Sequence, residues 1–191
     1  MTELSRQLDE PFLGPDFFAG HTVEVARALL GRVLVRGPVR LRIVEVEAYR
    51  AGDSACHAWK GRTPRNAPMW GPPGHAYVYL CYGLHHLLNL VTEAEGQPGA
   101  VLIRGGLVLA GEDLVRQRRG GRLSCIGPGT VGQALGLDRS WSGRVLAPGP
   151  GDGLYLVDGS RPARIEAGPR VGIGYALPQD QALPWRFRCD P

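Results

Sequence analysis

Two carboxylates, Glu45 and Glu47, stand two positions apart in IVEVEAY (Ile43–Tyr49), and Tyr49 follows at the same spacing. On a strand, alternation sends i, i+2 and i+4 to one face. The stretch therefore offers an acid pair beside a phenol, which suits general acid–base chemistry or, in the plainer reading, a solvated polar face. The strand is otherwise apolar, and its end opens into RAGDSACHAWKGRTPRNAPMWGPPG, which holds His57 and the cluster Arg62, Thr63, Pro64, Arg65, Asn66. A segment so rich in Gly and Pro cannot sustain a regular element, and long loops inside compact domains are mostly functional. A third signal is AYVYLCYGLHHLLNL (Ala76–Leu90). Alternation places Tyr77, Tyr79 and Cys81 on one face and Val78 and Leu80 on the other. Tyr82 falls at the turn before Gly83, where it gains no burial from its own sheet and must pack on a loop or be offered to a partner.

Other chemistries lack their residues. No H-x-x-H or carboxylate spacing marks a metal site, no G-x-x-x-x-G-K-[ST] marks a nucleotide phosphate loop, and no G-x-S-x-G marks a serine nucleophile. GPGTVG (Gly127–Gly132) lacks the phosphate-loop lysine and reads as a turn. Cys56, Cys81, Cys125 and Cys189 are scattered without a C-x-x-C pair, so they read as free thiols of a reduced compartment. No metal and no organic cofactor is expected.

The elements that must position these residues can be outlined. With 191 residues the chain has the length of one domain, residues 1–191, and its 28 glycines and 16 prolines favour turns and short strands. Thr22–Leu30 has helical spacing with Gly31 as its stop, and RVLVRG and RLRIVEVEAY read as a hairpin around Gly37 and Pro38. The tyrosine segment reads as strand, turn and returning strand, followed by a buried strand at Ala100–Gly106. Gly111–Arg119 reads as a charged helix, and Cys125–Asp138 as a turn feeding a second short helix. GLYLV, RIEAG and RVGIGYA read as terminal strands. The N-terminal MTELSRQLDEPF has no apolar run behind basic residues, and no stretch reaches the roughly 20 apolar residues of a membrane span, so a cytoplasmic protein without membrane association is expected. The net charge of +4 proves little, but all 22 basic residues except Lys60 are arginine, whose fork suits phosphate, as codon bias would equally explain.

Singly these signals are weak; their order is specific. IVEVEAY, the His57 loop, TPRN (Thr63–Asn66), AYVYLCYGLHHLLN (Ala76–Asn89), VLIRGG (Val101–Gly106), GPG with QAL (Gly127–Leu135) and RVGIG (Arg170–Gly174) together resemble the alkyladenine, or 3-methyladenine, DNA glycosylases across nearly the whole chain. The resemblance implies a mixed α/β (α+β) domain with a curved, mainly antiparallel sheet and peripheral helices, like a formyltransferase C-terminal domain. It implies a monofunctional base-excision enzyme that flips a damaged purine out of duplex DNA and hydrolyses its N-glycosidic bond, leaving an abasic site. The purine would be 3-methyladenine, with hypoxanthine and ethenoadenine as further candidates. By the same resemblance Glu47 is the general base that activates water, and Arg104 and the carbonyl of Val171 hold that water. Tyr49 and Tyr79 sandwich the flipped base, His57 stacks on it or hydrogen-bonds it, and Asn89 collides with the exocyclic amine of guanine. Tyr82 is the wedge that fills the gap in the stack. Arg62, Thr63, Arg65, Leu84, His85 and Gly172 are carried over as DNA contacts, and Glu45 as a supporting acid. Lys60 matches no nucleophile of the family, which argues against Schiff-base strand nicking. Double-stranded DNA is the implied partner of a monomer, bacterial in type and nucleoid-associated when acting.

The chain departs from the family pattern at three places. Val46 stands where threonine is frequent, the Tyr49–His57 loop is one residue shorter than in mammalian members, and Leu84 and His85 replace a Met-Tyr pair. These positions bear on groove contacts and substrate range. Two rival readings also carry forward. One is a non-catalytic nucleic-acid module that stacks bases on its tyrosines. The other is a carbohydrate glycosidase using Glu45 and Glu47, which would need carboxyls about 5 to 9.5 Å apart on opposite sides of a bond.

Overall fold

The computed structural model describes residues 11–149 and 153–190; most of the N-terminal segment weighed above for targeting lies outside them. Among the described residues nine strands form one curled sheet in which every pairing is antiparallel. β1 (Val33–Arg36) and β2 (Val39–Arg50) make the expected hairpin, and β3 (Ala76–Cys81) and β4 (His85–Val91) make the tyrosine hairpin. β5 (Gly99–Ala110) is the central partner of β2, with β6 (Cys125–Ile126), β7 (Leu154–Val157), β8 (Glu166–Gly168) and β9 (Arg186–Arg188) completing the set. The main order is β3-β4-β5-β2-β1-β7; β6 adds to β5, and β9 adds to β2 and carries β8. The helices are α1 (Pro15–Phe18), α2 (Thr22–Leu29), α3 (Glu112–Arg118), α4 (Pro128–Leu135) and α5 (Pro178–Gln181).

One irregularity in β2 decides where the site lies. Val39, Leu41 and Ile43 face the main core, and strict alternation would send Glu45 and Glu47 there too. The register shifts on both sides of Glu45 insert an extra residue, so that Val46 and Ala48 take over the core positions while Glu45, Glu47 and Tyr49 turn to the other face. Glu45 is paired with Gly105, where a Cβ would stand only 3.2 Å from that of Glu45, so glycine lets the two strands close around the bulge. The core face of the sheet meets α2 and α4 through Val25, Leu29, Val131 and Leu135. α4 approaches β4 so closely that a side chain at Gly132 would overlap the His86 carbonyl. On the opposite face Tyr77, Val91 and Ala100 gather with Cys56 and Met69 from the long loop, and Tyr49 and Tyr79 pack against them.

The structure corrects several boundaries. The helix expected over Thr22–Leu30, α2, ends at Leu29, and β5 runs from Gly99 to Ala110 rather than Ala100 to Gly106, because its second half pairs with Arg40–Ile43. RVGIGYA is a series of turns, not a strand: Gly172 has φ of 76°, and the Val171 amide serves a side chain rather than a ladder. The three-residue β9, paired with Glu45–Glu47, takes its place beside β2. Of RIEAG only Glu166–Gly168 is strand.

Candidate active site

On the non-core face, Tyr49, Ala55, His57, Met69, Tyr77, Tyr79, Asn89 and Tyr175 line a cavity with about 310 Å³ of empty space, part of it open to solvent. All four residues expected to hold a base, Tyr49, His57, Tyr79 and Asn89, are among them. Strand alternation delivers three: Tyr49 at the end of β2, Tyr79 on β3, and Asn89 on β4 opposite Tyr77. Asn89 is fixed by a bond from its Nδ2 to the Tyr77 carbonyl at 3.1 Å. His57 Nδ1 lies 2.9 Å from the Tyr77 hydroxyl, and its ring meets Tyr79 edge to face at 4.6 Å between centroids. Burial, aided by the nearby Arg65 cation, pushes His57 down to about 4, so the imidazole is neutral near pH 7. Burial also raises Tyr77 to about 12 and pushes Tyr79 well above the ordinary phenol range, which keeps these phenols protonated as donors.

Behind the Tyr49 hydroxyl lies Glu47, with no exposed surface at all. Three donors converge on its carboxylate: the Val171 amide to Oε1 at 2.7 Å, the Tyr49 hydroxyl to Oε2 at 2.8 Å, and Arg104 Nη1 to Oε2 at 3.3 Å. Glu45 accepts Arg104 Nε at 3.0 Å and Arg186 Nε at 2.6 Å, both on Oε1. It is therefore a clamp on Arg104 and no solvated face. Burial, reinforced by Glu47, drives the Tyr49 phenol far above its ordinary range. A carboxylate has about four acceptor positions, so three donors leave roughly one, on Oε1, for a further proton. Val171 reaches Glu47 through its amide N–H.

Sequence reasoning missed the second wall. Arg170 forms a fully buried bidentate salt bridge to Asp53, with hydrogen bonds of 2.5 and 2.9 Å, and donates to the carbonyls of Ala48 and Asp180. Its guanidinium lies over two rings, 4.7 Å from the Tyr49 centroid and 5.2 Å from that of Trp185. The pair thus holds Tyr49 from behind and fixes the neighbouring Val171 amide that reaches Glu47. Ser54, in turn, donates to Asp180 and accepts from the Leu177 amide at 2.8 Å, which laces the His57 loop to the turns after Arg170. The one signal in the sequence is the charge of Asp53 and Arg170 inside otherwise small, apolar surroundings.

The remaining candidates lie at the rim. Tyr82 is 92% exposed at the tip of the β3–β4 hairpin with φ of 50°, followed by Gly83 at 69°, and the Leu84 amide closes the turn on the Cys81 carbonyl at 3.0 Å. Leu84 and His85 are exposed beside it, the latter against Gly129 of α4. Arg62 and Thr63 are exposed on the loop, away from the cavity lining, whereas Arg65 lies over the Tyr79 ring at 5.3 Å. Asn66 shapes that loop by accepting the Thr63 amide at 2.6 Å and donating to the carbonyls of His57 and Gly61 at 2.8 and 2.9 Å. Gly172 supplies the positive φ that turns the chain next to Val171. Lys60 is exposed and outside the cavity lining, and the four cysteines are unpaired. Among the described residues no cluster of three metal-ligating side chains occurs, and no helix is long and apolar enough to cross a membrane.

This site belongs to a known lineage. Residues 16–190 match the sequence model of the methylpurine-DNA glycosylase family. The chain is 54% identical over 179 residues to a Nitrosococcus oceani protein named provisionally as a 3-methyladenine DNA glycosylase, covering 92% of this chain and 88% of the relative. It is 47% identical over 193 residues to the DNA-3-methyladenine glycosylase of Arabidopsis thaliana, covering 98% of this chain and 75% of that one. A Methanocella arvoryzae protein, also provisionally named as a 3-methyladenine DNA glycosylase, shares 47% over 188 residues, with 93% and 92% covered. The chain belongs to the methylpurine-DNA glycosylase family.

Proposed function

We propose that the protein is a monofunctional DNA-3-methyladenine glycosylase that takes a flipped, alkylated purine into the tyrosine-lined cavity and hydrolyses its N-glycosidic bond with Glu47 as general base. The observation that carries this reading is the Glu47 carboxylate itself: fully buried, oriented by three donors, and one hydrogen bond behind the pocket wall. The names of the relatives support the substrate class.

In this mechanism the base leaves the stack and lies between Tyr49 and Tyr79. A purine nucleoside alkylated at N3 or N7 is cationic, and a cation over a tyrosine face gains about 0.5 to 2 kcal/mol. The Asn89 amide, fixed by the Tyr77 carbonyl, meets the purine edge and disfavours the extra amine of guanine. The bond between C1′ and the base nitrogen breaks, its electron pair neutralising the cationic base. Water bonds to C1′, and its proton passes to the open position on Glu47 Oε1. Arg104, itself held by Glu45, steadies the carboxylate and the water. No amine is needed, so the product is an abasic site in an intact strand. Tyr82 enters the stack to offset the few kcal/mol of unstacking. Hypoxanthine and ethenoadenine are flat and similar in size, but they are neutral, so their departure by the same route also requires a proton delivered to the base from solvent. As a monomer the enzyme would act on duplex DNA in the nucleoid.

The carbohydrate rival is disfavoured because both glutamates bind the same Arg104 and stand on one face, rather than flanking a bond. The test is release of free base from a methylated duplex by wild type and Glu47→Gln side by side, with strands probed before and after alkali. Release of 3-methyladenine by wild type alone, with breaks appearing only after alkali, is the expected result. A wild type that binds the duplex and releases nothing would leave the non-catalytic module standing.

A further inference from the structure

Tyr175 belongs to the pocket's second wall and carries no role in the mechanism above. Its ring lines the cavity with Tyr49, His57 and Tyr79, yet 69% of the residue is exposed. Its hydroxyl donates to the Ala55 carbonyl at 3.0 Å. The turn that bears it is braced independently of the ring. Gln181 Nε2 donates to the carbonyls of Gly174 and Ala176 at 3.3 and 2.7 Å, and the Leu177 amide donates to Ser54. Ile173 and Ala176 pack on Ala55 beneath Tyr49.

A phenol this open contributes little to the core, and its position is already set by neighbours on both sides. What remains is a large apolar face held by one hydroxyl anchor at the mouth of an aromatic cavity. An amphipathic ring in that setting suits a planar partner that covers its face while the hydroxyl stays bonded.

We propose that Tyr175 is a base-binding residue, a third aromatic wall at the pocket mouth that covers the everted purine from the solvent side. The inference rests on the proposed function, which puts a purine in this cavity. A contact made equally to substrate and transition state changes KM and spares kcat. Removal of an aromatic that stacks on a base weakens binding by roughly 5- to 150-fold.

The experiment compares wild type, Tyr175→Ala and Tyr175→Phe in base release from methylated duplex, in thermal melting, and in calorimetric titration with free 3-methyladenine. Tyr175→Ala should raise KM about 10-fold with kcat within about 2-fold and an unchanged melting temperature, while Tyr175→Phe, which keeps the ring, stays within about 3-fold of wild type. An unchanged KM in Tyr175→Ala overturns the proposal. So does a joint fall of kcat and melting temperature in both variants, since that is the signature of a scaffold role through the Ala55 bond. If wild type releases no base, the proposed function fails by itself, and the titration still decides Tyr175. Free-base binding that is lost in Tyr175→Ala and kept in Tyr175→Phe supports the wall; binding absent from wild type, or equal in all three proteins, overturns it.

Discussion

One hydrogen bond behind the pocket wall Glu47 has no exposed surface and receives three donors, whereas at the tip of the β3–β4 hairpin Tyr82 is 92% exposed on a backbone with φ of 50°. Both stand on one curled sheet, and both are placed by a departure from regular strand geometry: a bulge turns Glu47 away from the core, and a positive-φ turn lifts Tyr82 off its strand. The difference lies in what surrounds them. A charge that must act in a dry site has to be oriented before substrate arrives, and that takes compensating partners such as Arg104 and the Val171 amide. A side chain that must enter another molecule has to remain uncovered, so its conformation is fixed by backbone alone. Damage around the buried carboxylate should therefore reach chemistry and folding together, and damage to the tip should reach DNA engagement with no loss of folding stability.

The sharpest break is at the carboxylate. Glu47→Gln should lower the single-turnover rate of base release by about 10²- to 10⁴-fold, the usual contribution of a general base. Its affinity for lesion-bearing duplex in a gel-shift titration should stay within about 3-fold of wild type. Tyr82→Ala reverses the pattern, weakening engagement of the lesion while free Glu47 chemistry persists. The next effect concerns the wall behind Tyr49. Arg170→Met leaves Asp53 buried without its partner, which costs about 3 to 5 kcal/mol, so urea melts should shift markedly to lower concentration. Asp53→Asn combined with Arg170→Met should recover part of that loss; no recovery would mean that the pair is not coupled.

The same contrast explains what could be read from the sequence. Tyr49 and Tyr79 were legible because alternation assigns each to a face of its own strand, Asn89 only through the family resemblance, and Tyr82 because the spacing changes just before Gly83. The bulge was written there too: the apolar set runs Val39, Leu41, Ile43 and then switches parity to Val46 and Ala48, which only an inserted residue can reconcile. The second wall was not legible. Arg170 meets Asp53 across 117 positions and Arg186 meets Glu45 across 141, and local periodicity carries no information about such pairings. RVGIGYA mimics strand alternation through Val171, Ile173 and Tyr175, while its amides and hydroxyl serve Glu47 and Ala55.

His57 tests the pocket rim between these extremes. Its folded value near 4 lies below the unfolded value of 6.5, so in that window the unfolded chain takes up a proton that the native state refuses. Stability should be full above about pH 6.5 and fall as the pH drops toward 4, by on the order of 2 kcal/mol once solvent screening is discounted. Chemical melts at pH 7 and pH 4.5 would show it. His57→Asn should flatten the difference, and an equal slope in the variant would assign the loss to other groups.

The smallest effect separates the buried carboxylate from the tip most cleanly. A tyrosine in the left-handed region carries a backbone cost that asparagine largely escapes, because its short polar side chain tolerates positive φ. Tyr82 buries almost nothing in return. Tyr82→Asn should therefore raise stability by about 0.5 to 1 kcal/mol, while base release from duplex falls because no ring fills the gap. Opposite signs in melting and in activity are the mark of a strained residue kept for its action on another molecule. If Tyr82→Asn melts at or below wild type, the tip is unstrained, and the contrast with Glu47 reduces to exposure.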